Sequence, residues 1–329
     1  MKTCEMLTFP HRCSITAGSI ARAVRSTIMA STGVLLLVHA AAALVAPSPP
    51  APLRVLGIQI APGDGTELNC RRAENLIKAN PGYDLYVLPE LSCNGYNNAV
   101  LSALSEHAED IHGGGIVRFW DRVARECDAY ICYGFVRRSS SDSPRTKYHI
   151  CQAVASPDSD SGEPVLVYDK MHVCDMGDCS EAAFGLEPGD KAGVFDCRGT
   201  RVGVTICYDL RFPELFRRLA WDLECDLILH PSAFVRDATF HAYHHFVATR
   251  AIENGVYVLS VNYASESFGE SIAAPPWLGP VPELEDPLAP SSLGIQEGVL
   301  PLTVDHSVLS SVREAYPYRR NVHETLRSS

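Results

Sequence analysis

Three polar residues stand just beyond short apolar runs, and their types suit nucleophilic acyl chemistry. Glu90 follows Leu85-Tyr86-Val87-Leu88-Pro89, Lys170 follows Val165-Leu166-Val167-Tyr168-Asp169, and Cys207 follows Val202-Gly203-Val204-Thr205-Ile206. A thiol becomes a nucleophile once deprotonated, a carboxylate can take its proton, and an ammonium can steady an oxyanion. Taken singly, each has a plainer reading: a lone Cys in apolar surroundings is usually a buried thiol, and a lone Glu or Lys a solvated charge. Position argues otherwise. In open α/β sheets the ligand crevice lies at the carboxyl ends of strands, where all three can converge.

Cys207 has the clearest local context. Residues 208–212 read as a turn, and Pro213 suits the first turn of a helix carrying Leu215, Phe216, Leu219, Ala220 and Leu223 on one face. A thiol near a helix N-terminus feels the positive end of the dipole, so thiolate character is expected at Cys207.

The elements that must position these residues begin at Arg54. Short apolar runs predict strands at 55–60, 84–88, 129–135, 148–155, 165–168, 202–206, 226–229 and 256–262. Amphipathic spacing predicts helices at 68–79, 213–223 and 240–254, and a Gly-interrupted helical stretch at 101–126. This alternation implies an α/β layered domain with both sheet faces covered. The Pro-rich stretch 275–290 reads as loop.

Residues 1–50 have a different character. Lys2, Arg12, Arg22 and Arg25 stand against one acid, Glu5, and an apolar run at 34–46 is broken only by His39. Ala41 and Ala43 give an A-x-A cleavage pattern ahead of a Pro-rich linker. Together these read as a targeting segment for a plastid, a mitochondrion or the secretory route, with a disordered extension on a cytoplasmic enzyme as the alternative. The apolar run is too short for a stable membrane span. The catalytic domain is expected over 51–329.

Composition narrows the function classes. With 28 basic and 39 acidic residues the net charge is −11, and no long basic block follows residue 51, which argues against a nucleic-acid partner. Twelve cysteines are scattered through apolar runs without framework spacing, so most read as reduced, buried thiols. Cys174 and Cys179, with Asp175 and Asp178 between them, lack the second Cys/His pair of a zinc site, and no metal or cofactor is indicated.

Leu88-Pro89-Glu90 with Gly95-Tyr96, Asp169-Lys170-Met171-His172, and the run Ile206-Cys207-Tyr208-Asp209-Leu210-Arg211-Phe212-Pro213-Glu214 together resemble the nitrilase superfamily of carbon–nitrogen hydrolases. The likeness extends from about Arg54 to Arg320, and the segment around Cys207 is its most specific part. It implies an αββα sandwich, normally a homodimer or higher homo-oligomer formed through helices so that the sheets stack. It also implies roles: Cys207 forms a thioester, Glu90 shuttles protons, and Lys170 with the backbone N–H of Tyr208 holds the oxyanion. Relatives carry a second glutamate before a Pro-Gly turn. Here Glu181 is the candidate, with Glu187 competing beside Pro188-Gly189-Asp190. Arg211 and Glu214 are expected to orient the elbow through an ion pair.

Two matches are supporting, Arg250-Ala251-Ile252-Glu253-Asn254 on the helix after the nucleophile and Gly269-x-Ser271 on the return strand. One departure stands out: Tyr243 occupies a position where the family often has Trp, followed by His244 and His245, which point in different directions on a helix. The implied substrate is a small amide, of the ω-amide kind, with an N-carbamoyl amine or a nitrile as alternatives. An inactive member serving as a scaffold is the non-enzymatic alternative.

Overall fold

The computed structural model describes residues 50–323 and 325, apart from 62, 64, 140–144, 177, 178 and 324. The expected targeting segment therefore lies outside the described residues, save Pro50.

Two six-stranded sheets form the centre. The first comprises β1 (Leu53–Gln59), β2 (Leu85–Val87), β3 (Tyr130–Arg138), β4 (Tyr148–Ala155), β5 (Leu166–Asp169) and β14 (Gly298–Val304), in the order β14-β1-β2-β3-β4-β5. The second comprises β8 (Gly193–Cys197), β9 (Thr200–Val204), β10 (Leu227–Pro231), β11 (Tyr257–Val261), β12 (Ile272–Ala274) and β13 (Ser291–Ser292), in the order β13-β12-β11-β10-β9-β8. Each sheet has three parallel strands at its middle, β1-β2-β3 and β9-β10-β11, flanked by antiparallel ones. A small ribbon, β6 (Asp175–Met176) with β7 (Cys179–Ser180), lies between them in sequence.

Strand alternation sorts the side chains into three apolar layers. Val55, Leu85, Val87 and Cys132 of the first sheet meet Val202, Val204, Leu229 and Leu259 of the second. Leu56, Ile58, Tyr86, Ile131 and Tyr133 point the other way, onto α1 (Thr66–Ala79) and, past the short helices α2 (Asn98–Ser102) and α3 (Leu104–His107), α4 (Gly115–Cys127). On the outer face of the second sheet, Ile228 and Val258 pack against α5 (Pro213–Arg217) and α6 (Tyr243–Asn254). The chain closes with α7 (His306–Ala315) and α8 (Tyr318–Asn321). The order of layers is helix, sheet, sheet, helix, as expected.

The sheets approach closely at β1. A Cβ on Gly57 would lie 2.9 Å from Val261 Cγ2 and 3.4 Å from Leu259 Cδ1, so only glycine fits there without moving a strand.

Some elements differ from expectation. The stretch at 101–126 is not one helix, because Gly113-Gly114 separate α3 from α4. The helix expected over 213–223 is α-helical only through Arg217 and continues as a π-turn over Arg218–Asp222. Strands β8, β13 and β14 carry no strand expectation, being Gly- or Ser-bearing edge elements, while β12 begins just past the Gly269-x-Ser271 match to the return strand. No helix among the described residues is long and apolar enough to cross a membrane.

Candidate active site

Glu90 and Cys207 occupy equivalent places in the two sheets. Glu90 lies three residues beyond β2, and Cys207 three residues beyond β9, both at the carboxyl ends of middle parallel strands. Lys170 follows directly on β5. Its backbone is pinned on both sides: its N–H donates to the Ile150 carbonyl and its carbonyl accepts from Gly189 N–H, each at 2.8 Å. A Cβ on Gly189 would sit 2.3 Å from the Asp169 carbonyl oxygen, so the Pro188-Gly189 turn needs glycine to reach the lysine strand.

The structure brings Glu90, Lys170, Glu181 and Cys207 into one group. Lys170 Nζ donates to Glu90 Oε1 at 2.8 Å and to Glu181 Oε1 at 2.7 Å, and all three side chains are at most 1% exposed. Glu181 ends the β6–β7 ribbon. Its Oε2 accepts from Cys174 N–H at 2.6 Å and its Oε1 from Tyr96 O–H at 2.9 Å. Glu187, the competing residue, faces the surface and pairs with Lys147 at 3.0 Å. The remaining Glu90 oxygen, Oε2, accepts from Ala233 N–H at 3.0 Å, just past β10 in the opposite sheet. Asn262 holds that loop: its Oδ1 accepts from Phe234 N–H at 2.9 Å, and its amide donates to the Phe234 carbonyl at 3.0 Å.

The electrostatics follow from enclosure. Burial, then the Glu181 charge, pushes the Glu90 carboxyl up, against the pull of Lys170 and a hydrogen bond from the Cys207 thiol. Burial works against the Lys170 ammonium, but the charges of Glu181 and Glu90 override it and hold its pKa well above the ordinary value. The expected thiolate at Cys207 is corrected here. Burial and the Glu90 charge push its pKa up, with Lys170 opposing. The physical reason lies in the elbow: Cys207 begins a 3-10 turn, Cys207–Arg211, and α5 starts only at Pro213 and has five residues, so little dipole reaches the sulfur. Burial and the Glu90 carboxylate thus both favour the protonated thiol, which hydrogen-bonds to Glu90.

The elbow itself is sharply bent, with Cys207 at φ 43°, in the left-handed region. Asp209, fully buried, ties it to the lysine loop. Its Oδ2 accepts from Ile206 N–H at 2.8 Å and Tyr168 O–H at 2.7 Å, and its Oδ1 accepts from His172 N–H at 3.0 Å and contacts His172 Nδ1 at 2.7 Å. The His172 ring stacks on Phe212, centroids 3.7 Å apart. Both Asp209 and His172 stand inside the quoted motifs, yet residue type alone gives them no role.

Arg211 and Glu214 do not form the expected ion pair. Arg211 donates to Thr239 Oγ1 at 3.1 Å, its guanidinium lying 5.5–5.9 Å from the ring centres of Tyr208, Phe234 and Phe246. Glu214 is exposed at the start of α5, where a carboxylate complements the helix N-terminus. Arg250 donates to the Leu210 carbonyl at 3.1 Å, a structural support for the elbow. His230, which carries no sequence signal, donates or accepts at the Cys207 carbonyl position; since a carbonyl only accepts, its Nε2–H is the donor, at 2.9 Å.

A thiol, a carboxyl at its side and a buried ammonium together can attack a carbonyl-like carbon and stabilise the oxygen that turns negative. The chain belongs to the carbon–nitrogen hydrolase family, whose sequence pattern matches residues 54–287. It is accordingly a hydrolase of carbon–nitrogen bonds other than peptide bonds. Omega-amidase NIT2-A of Xenopus laevis is 31% identical over 77% of this chain and 88% of that protein. Omega-amidase NIT2 of Homo sapiens is 30% identical over the same shares. In fold, the chain is similar to Saccharomyces cerevisiae Nit3, described as a member of branch 10 of the nitrilase superfamily. The two superpose with a TM-score of 0.69 at 23% identity, covering 84% of this chain and 97% of that one.

Proposed function

We propose that this chain hydrolyses the terminal amide of a small carboxylate-bearing compound, an ω-amide, through a thioester on Cys207. The observation that carries the reading is the enclosed Glu90–Lys170–Glu181 group beside the Cys207 thiol. Glu90 takes the thiol proton as the sulfur adds to the amide carbon. Lys170 and the Tyr208 N–H face the oxygen as it becomes negative. Collapse breaks the carbon–nitrogen bond, and Glu90 returns the proton to the departing ammonia. Water, activated by the same carboxylate, then hydrolyses the thioester and regenerates the thiol. Glu181 keeps Lys170 charged and aimed, while Arg211 and Arg250 support the elbow. The ω-amide preference is supported by relatives described as omega-amidases.

The same reading has residues 51–329 as the hydrolase domain, residues 1–50 as a targeting or dispensable extension, and the chain working as a homodimer or higher homo-oligomer. Ammonia release screened across small ω-amides, N-carbamoyl amines and nitriles tests it. Turnover confined to carbamoyl amines or nitriles would remove the substrate assignment, and turnover surviving in Cys207→Ala would remove the thioester.

A further inference from the structure

We infer that His230, backed by Ser260 and Tyr243, is a positioning residue that aims the Tyr208 N–H at the developing oxyanion by holding the carbonyl of Cys207. The inference rests on the thioester reading above.

The three side chains are fully buried, on β10, β11 and α6. Hydrogen-bond chemistry fixes their proton order. His230 Nε2 must donate to the Cys207 carbonyl, at 2.9 Å. A neutral ring then offers a lone pair at Nδ1, which accepts from the Ser260 hydroxyl at 2.7 Å. Ser260 Oγ in turn accepts from Tyr243 O–H at 2.5 Å. Burial keeps the ring neutral by pulling its pKa down to about 4. The result is a one-way relay: Tyr243 to Ser260, to His230, to the elbow carbonyl.

The Cys207 carbonyl and the Tyr208 N–H belong to one planar peptide and point in opposite directions. Whatever grips the carbonyl therefore sets where the N–H points. Tyr208 is also the second residue of its turn, ahead of the first turn bond, from Asp209 N–H to the Ile206 carbonyl at 2.9 Å. That leaves its N–H available for an incoming oxygen. Each donor in the relay also polarises the next, so a gripped carbonyl makes the far N–H a stronger donor. Finally, the grip opposes relaxation of the strained Cys207 backbone.

An aldehyde separates this role from simple packing. The Cys207 sulfur adds to the carbonyl carbon of acetaldehyde, the carbon–oxygen π bond breaks, the thiol proton passes to Glu90, and the oxygen becomes the oxyanion of a thiohemiacetal. Alkylation of the same thiol by iodoacetamide expels iodide and develops no oxyanion. Both are measured on the full chain, the first by titration with carbonyl-labelled acetaldehyde followed by carbon NMR. His230→Leu should weaken thiohemiacetal formation about tenfold while the alkylation rate stays within about threefold. His230→Gln, which keeps a donor, should recover most of the loss, and Tyr243→Phe should weaken the adduct in the same direction by about threefold. Tyr243→Phe leaves the elbow's own contacts intact and carries the test where His230→Leu does not fold. Unchanged aldehyde affinity in the folded variants, or alkylation slowing in parallel, overturns the inference. A wild-type thiol that forms neither adduct would instead bring down the thioester reading itself.

Discussion

Lys170 and Glu181 hold each other at 2.7 Å with both side chains shut away from solvent, and Tyr96 hydrogen-bonds the same glutamate oxygen. A charge pair so enclosed loses heavily when one partner is neutralised, because the other is left buried and undercompensated. Glu181→Gln should therefore lower kcat/KM at least about tenfold. Glu187→Gln should leave it near normal, since Glu187 pairs with Lys147 at the surface. Thermal unfolding of both variants is the control, and a crippled but folded Glu187→Gln would reverse the assignment.

Cys207→Ala should abolish ammonia release with little change in melting temperature, since the side chain is small and sits at a turn. Glu90→Gln cannot move a proton in either half of the reaction and should be comparably inactive. Lys170→Ala should lose roughly a hundredfold in kcat, the scale of a deleted oxyanion donor. Near-normal kcat in any of the three would show that the group is misassigned.

The pH profile has a definite sign. Glu90 must be ionised to take the thiol proton, and burial and the Glu181 charge raise its pKa above the ordinary 4.5. Activity should therefore rise with pH along an acid limb centred above that value. Glu181→Gln removes a raising charge and should move the residual limb to lower pH; Lys170→Met removes a lowering one and should move it higher. The profile of kcat/KM in the wild type and the two variants decides this, and a limb that moves the opposite way in either variant would contradict it.

Gly57→Ala should destabilise the fold by about 1–3 kcal/mol through overpacking against Val261, as read from denaturant unfolding. A neutral outcome would mean that the sheets part at β1 without penalty.

A chain lacking residues 1–50 should be soluble and as active as the full one, because β1 begins at Leu53 and pairs fully with β14. Loss of activity on this truncation, measured by ammonia release, would assign the extension a part in the fold.

The site was more legible in the sequence than the sheets. Glu90 and Cys207 each follow a run whose apolar residues fill the core, and Lys170 follows one in which Tyr168 is buried while Val165 and Val167 are exposed, so the placement of all three is read from strand ends. Strand β4 was readable to its limits, since both faces of Tyr148–Ala155 are buried. The arrangement into two sheets was not, because β13 is only two residues long, β14 pairs with β1 from the far end of the chain, and a strand's own pattern does not say which sheet it joins. The state of the Cys207 thiol depended on how far the following helix extended and on enclosure by Glu90, neither of which spacing conveys. His230 escaped notice because a histidine inside a strand has no motif; only the fold brings Cys207, Ser260 and Tyr243 to it.

The bond from Ala233 N–H to Glu90 Oε2 crosses from the second sheet to the first. Glu90 and Cys207 thus come from opposite halves of the sandwich and meet only when those halves have docked. Until then Cys207 is an ordinary thiol with no partner to take its proton. A chain emerging half-made, or one partly opened by heat, would consequently carry Cys207 as one ordinary thiol among the twelve cysteines, and catalysis would wait on assembly of the two sheets.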